Sequence, residues 1–416
     1  MFLFGHFGLG NLGNESTLQA MIGNLRRLVP DAELICICTG PDITRALHKI
    51  KTIPIHPWVS NRRGPRRKFL RWMRTVFIGI PLELLRWVYA LKLLRRGDIF
   101  IIPGTGLLND AYTLRGWGPY GLFKWCTIAR LRGCKVLFVS VGAGPLRTQL
   151  GRGLAKAALG LGNFRSYRDV ASLQYLRNLG FTRSSDRVYP DLAFSLPQCL
   201  ASEMPQPLFR RDGRKTVGIG AMLLNERYST SQSDQRGQSY IETLTGAITF
   251  LIESGYNVRL LIGDFSDRPV VESVKSLVVK RLPPELHSRI LDDRVDCVEG
   301  LLAQIAQTDL VIATRFHNIL LGLMLNKPTI ALSFHHKCAA LMSEMGLSEY
   351  CLDIHNLSLQ QLIAKVLVLE QNAAAIGMKI SERTGACRAV LEEQYRLISQ
   401  MLGSSFKLVD RGMARV

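Results

Sequence analysis

The first fifteen residues, MFLFGHFGLGNLGNE (residues 1–15), decide the fold that the sequence predicts. The apolar run Met1–Phe4 indicates a strand, and the segment Ser16–Leu28 is typical of a helix. Between them lies a glycine-rich turn. Glycines let a backbone approach a ligand closely, and the unpaired N–H groups at the start of a helix attract anions. The stretch therefore predicts a strand–turn–helix unit with a ligand at the turn.

The spacing of this turn also matches a dinucleotide-binding fingerprint, Gly8-x-Gly10-x-x-Gly13. That fingerprint needs an acidic residue about 20 positions later, at the end of the second strand. Here the acidic residue would be Asp31 or Glu33, both before the second strand. The motif alone therefore does not favour NAD, and a tight turn that caps a helix remains an alternative to a ligand site.

Short apolar runs recur along the chain between segments of helix length. Their hydrophobicity is continuous, which is typical of strands covered on both faces. Strand–helix alternation predicts parallel sheets with right-handed crossovers. The runs include Met1–Phe4, Glu33–Cys38, Asp98–Pro103, Lys135–Val141, Thr216–Gly220, Asn257–Gly263, Asp309–Ala313 and Pro328–Ser333.

The alternation pauses at residues 196–214, where prolines and basic residues indicate a linker. We therefore expect an α/β lobe over residues 1–195 and a second over 215–373, followed by a C-terminal helix and tail over 374–416. A length of 416 residues suits two domains.

A net charge of +20 favours an anionic partner. Residues 62–96 hold eleven basic residues and one acidic residue, a balance of +10 and half of the total. Basic residues interleaved with Trp72, Trp87 and Tyr89 predict an interfacial helix on an anionic membrane leaflet. The alternative is a solvated basic helix packed by its apolar face on the first lobe. Nucleic acid is not expected, because no recognised nucleic-acid module accompanies the segment.

A cytoplasmic location, peripheral to the inner face of the membrane, is expected for the protein. Charged residues interrupt Trp72–Leu94, the most apolar stretch, which argues against a transmembrane span. The nine cysteines include no CxxC pair, which argues against a zinc ribbon and suits a reducing compartment.

Polar residues follow several strand ends. Ligands of open α/β sheets bind outside the carboxyl ends of the strands. In the first lobe, glycine-rich segments at 5–15, 101–110 and 138–146 predict a shared crevice, and Arg168 follows a further strand. In the second lobe, Arg315 and His317 follow one strand and a His-His-Lys sequence, residues 335–337, follows the next. Few carboxylates accompany these histidines, so a metal site is not expected.

Taken together, these motifs resemble the polysaccharide pyruvyltransferase family, in the right order and over nearly the whole chain. The match includes Gly-x-Gly-Pro-Leu at 142–146, Arg-Asp-x-x-Ser at 168–172 and Pro-Asp-x-Ala-Phe at 190–194. Departures are Asn14 for the usual Asp, Thr105 within the usual Gly-Gly-Gly, Phe316 for the Leu of Arg-Leu-His, and His335-His336 where Asp-Pro is common.

The resemblance implies a GT-B-like α/β fold with two Rossmann-like lobes, parallel sheets and an active site in the cleft between the lobes. It implies that phosphoenolpyruvate donates pyruvate to a sugar of an exopolysaccharide or cell-surface glycan, on a lipid-linked precursor, forming a ketal and releasing phosphate. Arg168 and Lys337 would bind phosphoenolpyruvate, Arg315 would assist them or fix the loop, and His317 would be the general acid or base. No cofactor or metal is expected.

The saccharide acceptor is expected to face polar side chains of the first lobe, because neutral and singly charged groups suit hydroxyl recognition. These residues are His6, Asn11, Asn109 and Asp110.

Two other functions stay open. A GT-B glycosyltransferase that uses a nucleotide sugar would want an acidic residue to grip ribose late in the second lobe, and residues 336–346 offer only Glu344. A non-catalytic glycan-binding protein at the membrane would predict a degenerate set of Arg, His and Lys, whereas Arg168, Arg315, His317 and Lys337 are all present.

Overall fold

The computed structural model describes residues 1–58, 75–110, 118–197, 200, 213–224 and 233–413, and among these it describes the side chains of all but 75–76, 233–236 and 404–413. Most of the predicted linker at 196–214 and the first part of the predicted basic segment at 62–96 lie outside the described residues. The chain forms two compact units. Residues 1–9, 21–192 and 391–416 make up the first unit, and residues 10–20 and 193–390 make up the second.

The first unit contains a parallel sheet of seven strands among the described residues, in the order β3-β2-β1-β4-β5-β6-β7. Its strands are β1 Phe2–Gly5, β2 Ile35–Cys38, β3 Lys51–Pro54, β4 Ile99–Pro103, β5 Lys135–Val141, β6 Phe164–Tyr167 and β7 Arg187–Val188. The first six follow the strand order of a Rossmann fold. Its helices are α1 Leu12–Leu28, α2 Pro41–His48, α3 Ile80–Leu93, α4 Gly118–Leu131, α5 Gln149–Gly160 and α6 Val170–Asn178.

The second unit repeats this arrangement with six parallel strands among the described residues, in the order β10-β9-β8-β11-β12-β13. Its strands are β8 Thr216–Gly220, β9 Asn257–Leu261, β10 Ile290–Leu291, β11 Leu310–Ala313, β12 Thr329–Ser333 and β13 Cys351–Asp353. Its helices are α7 Ser233–Glu253, α8 Arg268–Arg281, α9 Val298–Ala306, α10 Phe316–Met324, α11 His336–Glu344, α12 Leu359–Gln371 and α13 Ala373–Met413, of which α13 ends in the first unit.

Burial explains why these strands form. The side chains of β4 and of β11 are buried throughout, as expected for central strands of a sheet covered on both faces. In the first unit, Phe4 packs against Phe100 with ring centroids 5.5 Å apart, and Trp125 of α4 stacks on Phe100 at 6.4 Å. All eight apolar runs predicted from the sequence overlap an observed strand.

Helix α3 rests on the first unit through apolar side chains and through an ion pair. Glu83 accepts hydrogen bonds from the buried Lys124 at 2.8 Å, from Arg86 at 3.1 Å and from Tyr120 at 3.1 Å. Trp87 donates to the Tyr120 hydroxyl at 3.0 Å. In the described part of the chain, no helix is both long enough and apolar enough to cross a bilayer.

His56 should make the stability of the first unit depend on pH. Burial, followed by the positive charges of Lys124 and Arg86, lowers the pKa of His56 from 6.5 to about 4. Glu83 opposes this shift, and His6 adds to it. Between these two pH values the unfolded chain binds a proton that the folded chain does not, so stability is lost as the pH falls through this window.

We therefore expect His56→Gln to reduce the loss of unfolding free energy between pH 7.5 and 4.5 by about 1–2 kcal/mol, allowing for the partial exposure of the ring. Urea unfolding at several pH values measures this. The unaltered protein, unfolded over the same pH series, is the reference. An unaltered pH dependence in His56→Gln would contradict the assignment.

Candidate functional site

A cluster of polar side chains follows β11 in the second unit. Thr314 continues the sheet, since its N–H donates to the Gly220 carbonyl at 3.0 Å and its hydroxyl lies 2.8 Å from that of the buried Tyr240. Arg315 then occupies the N-cap position of α10, and His317 lies in the first turn of that helix. The end of the buried strand β11 thus fixes the backbone positions of Arg315 and His317.

Arg315 makes a two-pronged ion pair with Asp267, with both N···O distances at 2.7 Å. Asp267 is fully buried and also accepts a hydrogen bond from the Leu223 N–H at 2.9 Å. Burial raises the pKa of Asp267, and the guanidinium of Arg315 opposes this rise. A second carboxylate, Asp264, lies 3.9 Å from Arg315. Arg315 therefore fixes the loops after β8 and β9 against the start of α10.

The glycine-rich turn of residues 10–14 belongs to this cluster, because residues 10–20 group with the second unit. Asn11 donates to the Asp264 carboxylate at 2.8 Å and accepts from the Asn14 N–H at 3.0 Å, which caps the start of α1. The Leu12 N–H donates to the Gly263 carbonyl at 3.0 Å. Asn11 thus joins the turn to the loop after β9. It belongs to the second unit, whereas His6 belongs to the first.

Gly13 makes room for His317. A side chain at residue 13 would overlap the imidazole ring, because the ring occupies the space in which a Cβ would lie. The ring of His317 also meets that of Phe316 edge to face, with centroids 5.1 Å apart. The fingerprint glycine of the sequence therefore serves as the seat of the histidine, which is a different role from approaching a dinucleotide.

Asn318 is a further polar residue at this edge of the sheet. Its side chain is fully buried, and it fills the space beside Gly220 and Gly263, where a Cβ would collide with it. Among the described residues no protein group hydrogen-bonds its carboxamide. Buried amides are nearly always hydrogen-bonded, so Asn318 is a candidate to bind substrate or an ordered water.

Lys337 follows the neighbouring strand β12. Because β11 and β12 are parallel and adjacent, the Arg315–His317 and His335–Lys337 segments follow the same edge of the sheet, as the sequence predicts. The His335 ring accepts from the Lys337 N–H at 3.3 Å and lies 4.0 Å from that of His336.

A cavity of about 590 Å³ opens beside these histidines. Its lining includes Ser333, His335, His336, Cys351, Asp353 and His355. Within the described residues, no three His, Cys, Asp or Glu side chains are arranged to hold a metal ion.

Arg168 directly follows β6 in the first unit. Its guanidinium lies 3.3 Å from Asp191 and 3.5 Å from Asp169, and its side chain is mostly buried. It packs on Gly142, where an added Cβ would lie 2.9 Å from the guanidinium. Asp169 also caps α6 by accepting from the Ser172 N–H at 2.6 Å. The Gly-x-Gly-Pro-Leu motif and the Pro-Asp motif of the sequence thus both contact Arg168.

The remaining predicted residues of the first unit are engaged within it. His6 lies 2.9 Å from the Thr39 hydroxyl, and burial lowers the pKa of its imidazole. Asn109 donates to the Gly106 carbonyl. Asp110 accepts from the Thr148 N–H at 2.7 Å and from its hydroxyl at 2.8 Å.

Asp110 therefore holds the start of α5. Burial opposes ionisation of its carboxylate, but the hydrogen bonds outweigh this effect and lower the pKa of Asp110.

Sequence reasoning missed Asp264, Asp267 and Asn318. The signal for the two aspartates was present, because both follow β9 at the same edge of the sheet at which Arg315 was found. Asn318 directly follows His317 in the sequence, but only the structure shows that its side chain lies beside two glycines at the sheet edge.

The contact between Gly13 and the His317 ring can be tested with matched glycine substitutions in α1. Gly→Ala in a helix normally stabilises by about 0.5–1 kcal/mol. We expect that gain for Gly23→Ala, where a Cβ meets nothing within 4 Å, but a net loss of stability and a displaced His317 ring for Gly13→Ala. Thermal unfolding and the imidazole NMR signals of His317 measure the two effects. Unchanged imidazole signals in Gly13→Ala would refute the contact.

Residues 11–336 match the family described as polysaccharide pyruvyl transferase. The chain is also 23% identical to the amylovoran biosynthesis protein AmsJ of Erwinia amylovora, over 95% of this chain and 96% of that protein.

Solved structures show the same fold. The UDP-GlcNAc 2-epimerase from Neisseria meningitidis, bound to UDP-GlcNAc, is 10% identical with a TM-score of 0.59, over 94% of this chain and 99% of that chain. The S. aureus MnaA–UDP co-structure is 13% identical with a TM-score of 0.57, over 92% and 90%. At these identities the likeness establishes the fold alone, and it confirms the predicted pair of Rossmann-like lobes. Since the family match spans more than half of the sequence and includes the Arg315–His317 motif, the chain belongs to the polysaccharide pyruvyl transferase family.

Proposed function

We propose that this pyruvyltransferase takes pyruvate from phosphoenolpyruvate and attaches it to two hydroxyls of one sugar in an exopolysaccharide precursor. The observation that carries the proposal is the seating of His317 on Gly13, beside the Arg315–Asp267 ion pair, within the region that matches the family. A rigidly placed imidazole at a strand end suits a reaction that consists mainly of proton transfers.

The reaction needs one group that donates a proton to carbon and a base that accepts a proton from each of the two sugar hydroxyls. Protonation of the methylene carbon of phosphoenolpyruvate leaves positive charge on the carbon that bears the phosphate. One sugar hydroxyl adds to that carbon and loses its proton, and the C–O bond to phosphate then breaks. The second hydroxyl adds, loses its proton and closes the cyclic ketal, so the products are the ketal and inorganic phosphate.

His317 is proposed as the group that gives and takes these protons. Imidazole changes protonation state near neutral pH, so one histidine can act as acid and then as base. The contacts with Gly13 and Phe316 support this role because they restrain the position of the ring. Arg315 is proposed as a positioning residue, since its guanidinium is bound to Asp267 and its main function would be to fix the loops around His317.

Arg168 and Lys337 are proposed to bind the carboxylate and the phosphate of the donor. A planar guanidinium suits bidentate binding of such groups, and an ammonium acts as a compact point charge. The contact of Arg168 with Asp191 supports the proposal in one respect, because it fixes the orientation of the guanidinium before substrate binds.

The acceptor is proposed to be a saccharide on a lipid-linked precursor, at the inner face of the cytoplasmic membrane. Of the four predicted acceptor residues, His6 and Asn109 would contact hydroxyls. Asn11 and Asp110 would act through the helix starts and loops that they hold. No cofactor or metal enters this scheme.

Loss of His317 should abolish most of the turnover. We expect His317→Ala to lower kcat by about 10²–10⁴. Purified protein would be incubated with phosphoenolpyruvate and candidate saccharides, and the assay would follow phosphate release together with the mass gain of one pyruvyl group. His48→Ala, which removes a histidine from α2, is the matched control. Near-normal turnover in a folded His317→Ala protein would contradict the role, and glycosyl transfer from UDP-sugars without use of phosphoenolpyruvate would contradict the proposed function.

Substitution of the proposed donor-binding residues should affect the KM for phosphoenolpyruvate more than kcat. We expect Lys337→Ala and Arg168→Ala to raise the KM for phosphoenolpyruvate by about tenfold or more, since each removes one charged interaction. Arg168→Lys keeps the positive charge but loses the planar guanidinium, so its KM should lie between that of the unaltered protein and that of Arg168→Ala. Lys280→Ala, at an exposed position of α8, serves as the control for loss of a cation. A KM that is unchanged by both alanine substitutions would remove these residues from the donor site.

A further inference from the structure

Helix α3 and the turn before it expose a row of large apolar side chains. Phe77 is 67% exposed, Leu84 is 62% exposed and Leu85 is 58% exposed. Spacings of three to four residues bring such side chains onto one side of a helix. We refer to this set as the apolar face, which consists of Phe77, Ile78, Ile80, Leu84, Leu85 and Val88.

Two polar residues of the same helix point inward. Glu83 is bound to the buried Lys124 at 2.8 Å and to Arg86 at 3.1 Å, and Arg86 also donates to the Pro57 carbonyl at 3.0 Å. Apolar side chains share this inner side, since Ala90 is buried in the core of the first unit and Trp87, Leu91 and Leu93 pack against that core. The inner side of α3 therefore combines an ion pair with apolar contacts, and the apolar face lies outside it.

This orientation is fixed by the protein itself. Rolling α3 so that the apolar face turned inward would pull Glu83 away from Lys124 and leave a buried ammonium without its carboxylate. Breaking one partner of a buried ion pair is strongly unfavourable. Part of α3 thus packs on the first unit by apolar side chains, as the sequence alternative expects, while the apolar face stays at the surface.

Contiguous apolar surface of this kind marks an interaction site in soluble proteins. The sequence that leads into the helix indicates the partner, because residues 62–74 contain seven basic residues and no acidic one. Lys92 in the last turn of the helix is exposed, and so are Arg95 and Arg96 after it. Apolar side chains flanked by clustered positive charge are typical of binding to an anionic lipid surface.

The aromatic pair Trp58–Tyr89 supports the same partner. The side chain of Trp58 is 56% exposed and meets Tyr89 edge to face, with ring centroids 5.4 Å apart. Tryptophan and tyrosine favour the boundary between lipid and water, where an apolar ring and a polar tip are both satisfied. We propose that the apolar face is a docking surface for an anionic membrane leaflet, with α3 lying in the plane of the interface.

A second copy of the chain fits this surface less well. A two-fold interface would place the apolar face against itself and leave the basic residues of the chain without an anionic partner. The length of α3, 14 residues, corresponds to roughly 21 Å and is short of the ~20 residues that span a bilayer, so an in-plane position is expected.

The test is flotation of the full chain with two kinds of vesicle. One consists of phosphatidylcholine alone, and the other contains phosphatidylcholine with about 30 mol% phosphatidylglycerol, which approximates an anionic leaflet. We expect binding to the anionic vesicles that weakens as salt is raised, and a partition coefficient reduced by about tenfold or more in Leu84→Ser/Leu85→Ser, since both side chains would insert their apolar groups. The matched control is Leu131→Ser/Leu150→Ser, which removes two equally exposed leucines, 69% and 73%, elsewhere on the first unit.

The control should bind within about twofold of the unaltered protein, as expected for surface changes outside the docking face. Circular dichroism and thermal unfolding verify that both double variants fold. Equal binding by the two double variants, or equal binding to neutral and anionic vesicles, would overturn the proposal. Light scattering adds a further outcome: a dimer that becomes monomeric in Leu84→Ser/Leu85→Ser would assign the face to a second copy of the chain instead.

Discussion

The ion pair between Arg315 and the buried Asp267 is the interaction on which the candidate site depends. It joins three strand ends of the second unit, because Asp267 follows β9 and holds the Leu223 N–H after β8, while Arg315 follows β11. Two parallel N–H···O bonds fix direction as well as distance, which a single bond to a lysine would not do. His317 is two residues beyond Arg315, so its backbone position follows from this pair.

Glycines provide the space that this arrangement needs. Gly13 leaves room for the His317 ring, and Gly220 and Gly263 leave room for the Asn318 side chain. Gly10 has a φ of +81°, which favours glycine, and a Cβ there would lie 2.7 Å from the Phe265 ring. The glycines that the sequence presents as a fingerprint for a bound phosphate thus serve, in this chain, to bring loops and side chains of the protein against each other.

The sequence predicts the central strands and fails at the edges of the sheets. Strands β3, β7, β10 and β13 were not predicted, and each lies at the edge of its sheet. An edge strand has a neighbour on one side only, so it can be two to four residues long and need not be continuously apolar, as in β3 and β7. Arg315, His317 and Lys337 could be placed at one sheet edge from the strand order alone.

The partners of these residues could not be predicted, since Asp267 is about fifty residues away in sequence from Arg315. The sequence also could not predict which side of α3 faces inward. Its composition allows either side to face inward, and the outcome depends on Lys124, which lies on a different helix.

Charge around the two arginines bears on how a phosphoenolpyruvate donor would be held. Arg315 has Asp264 and Asp267 within 4 Å, and Arg168 has Asp169 and Asp191 within 4 Å. Each arginine therefore lies beside two carboxylates, which offset part of the positive charge that it could offer to a donor.

A donor with a carboxylate and a phosphate would need further cations to balance it. The segment after β12 is the place in the second unit where the sequence supplies them, because residues 334–343 contain two histidines and a lysine and no acidic residue. On this reasoning the arginines give direction and shape to the site, since their aspartates hold the guanidinium planes in place. The attraction for an anionic donor would then come mainly from Lys337. Removal of Lys337 should then weaken donor binding in a way that depends on ionic strength, whereas removal of Arg168 should disturb geometry at every salt concentration.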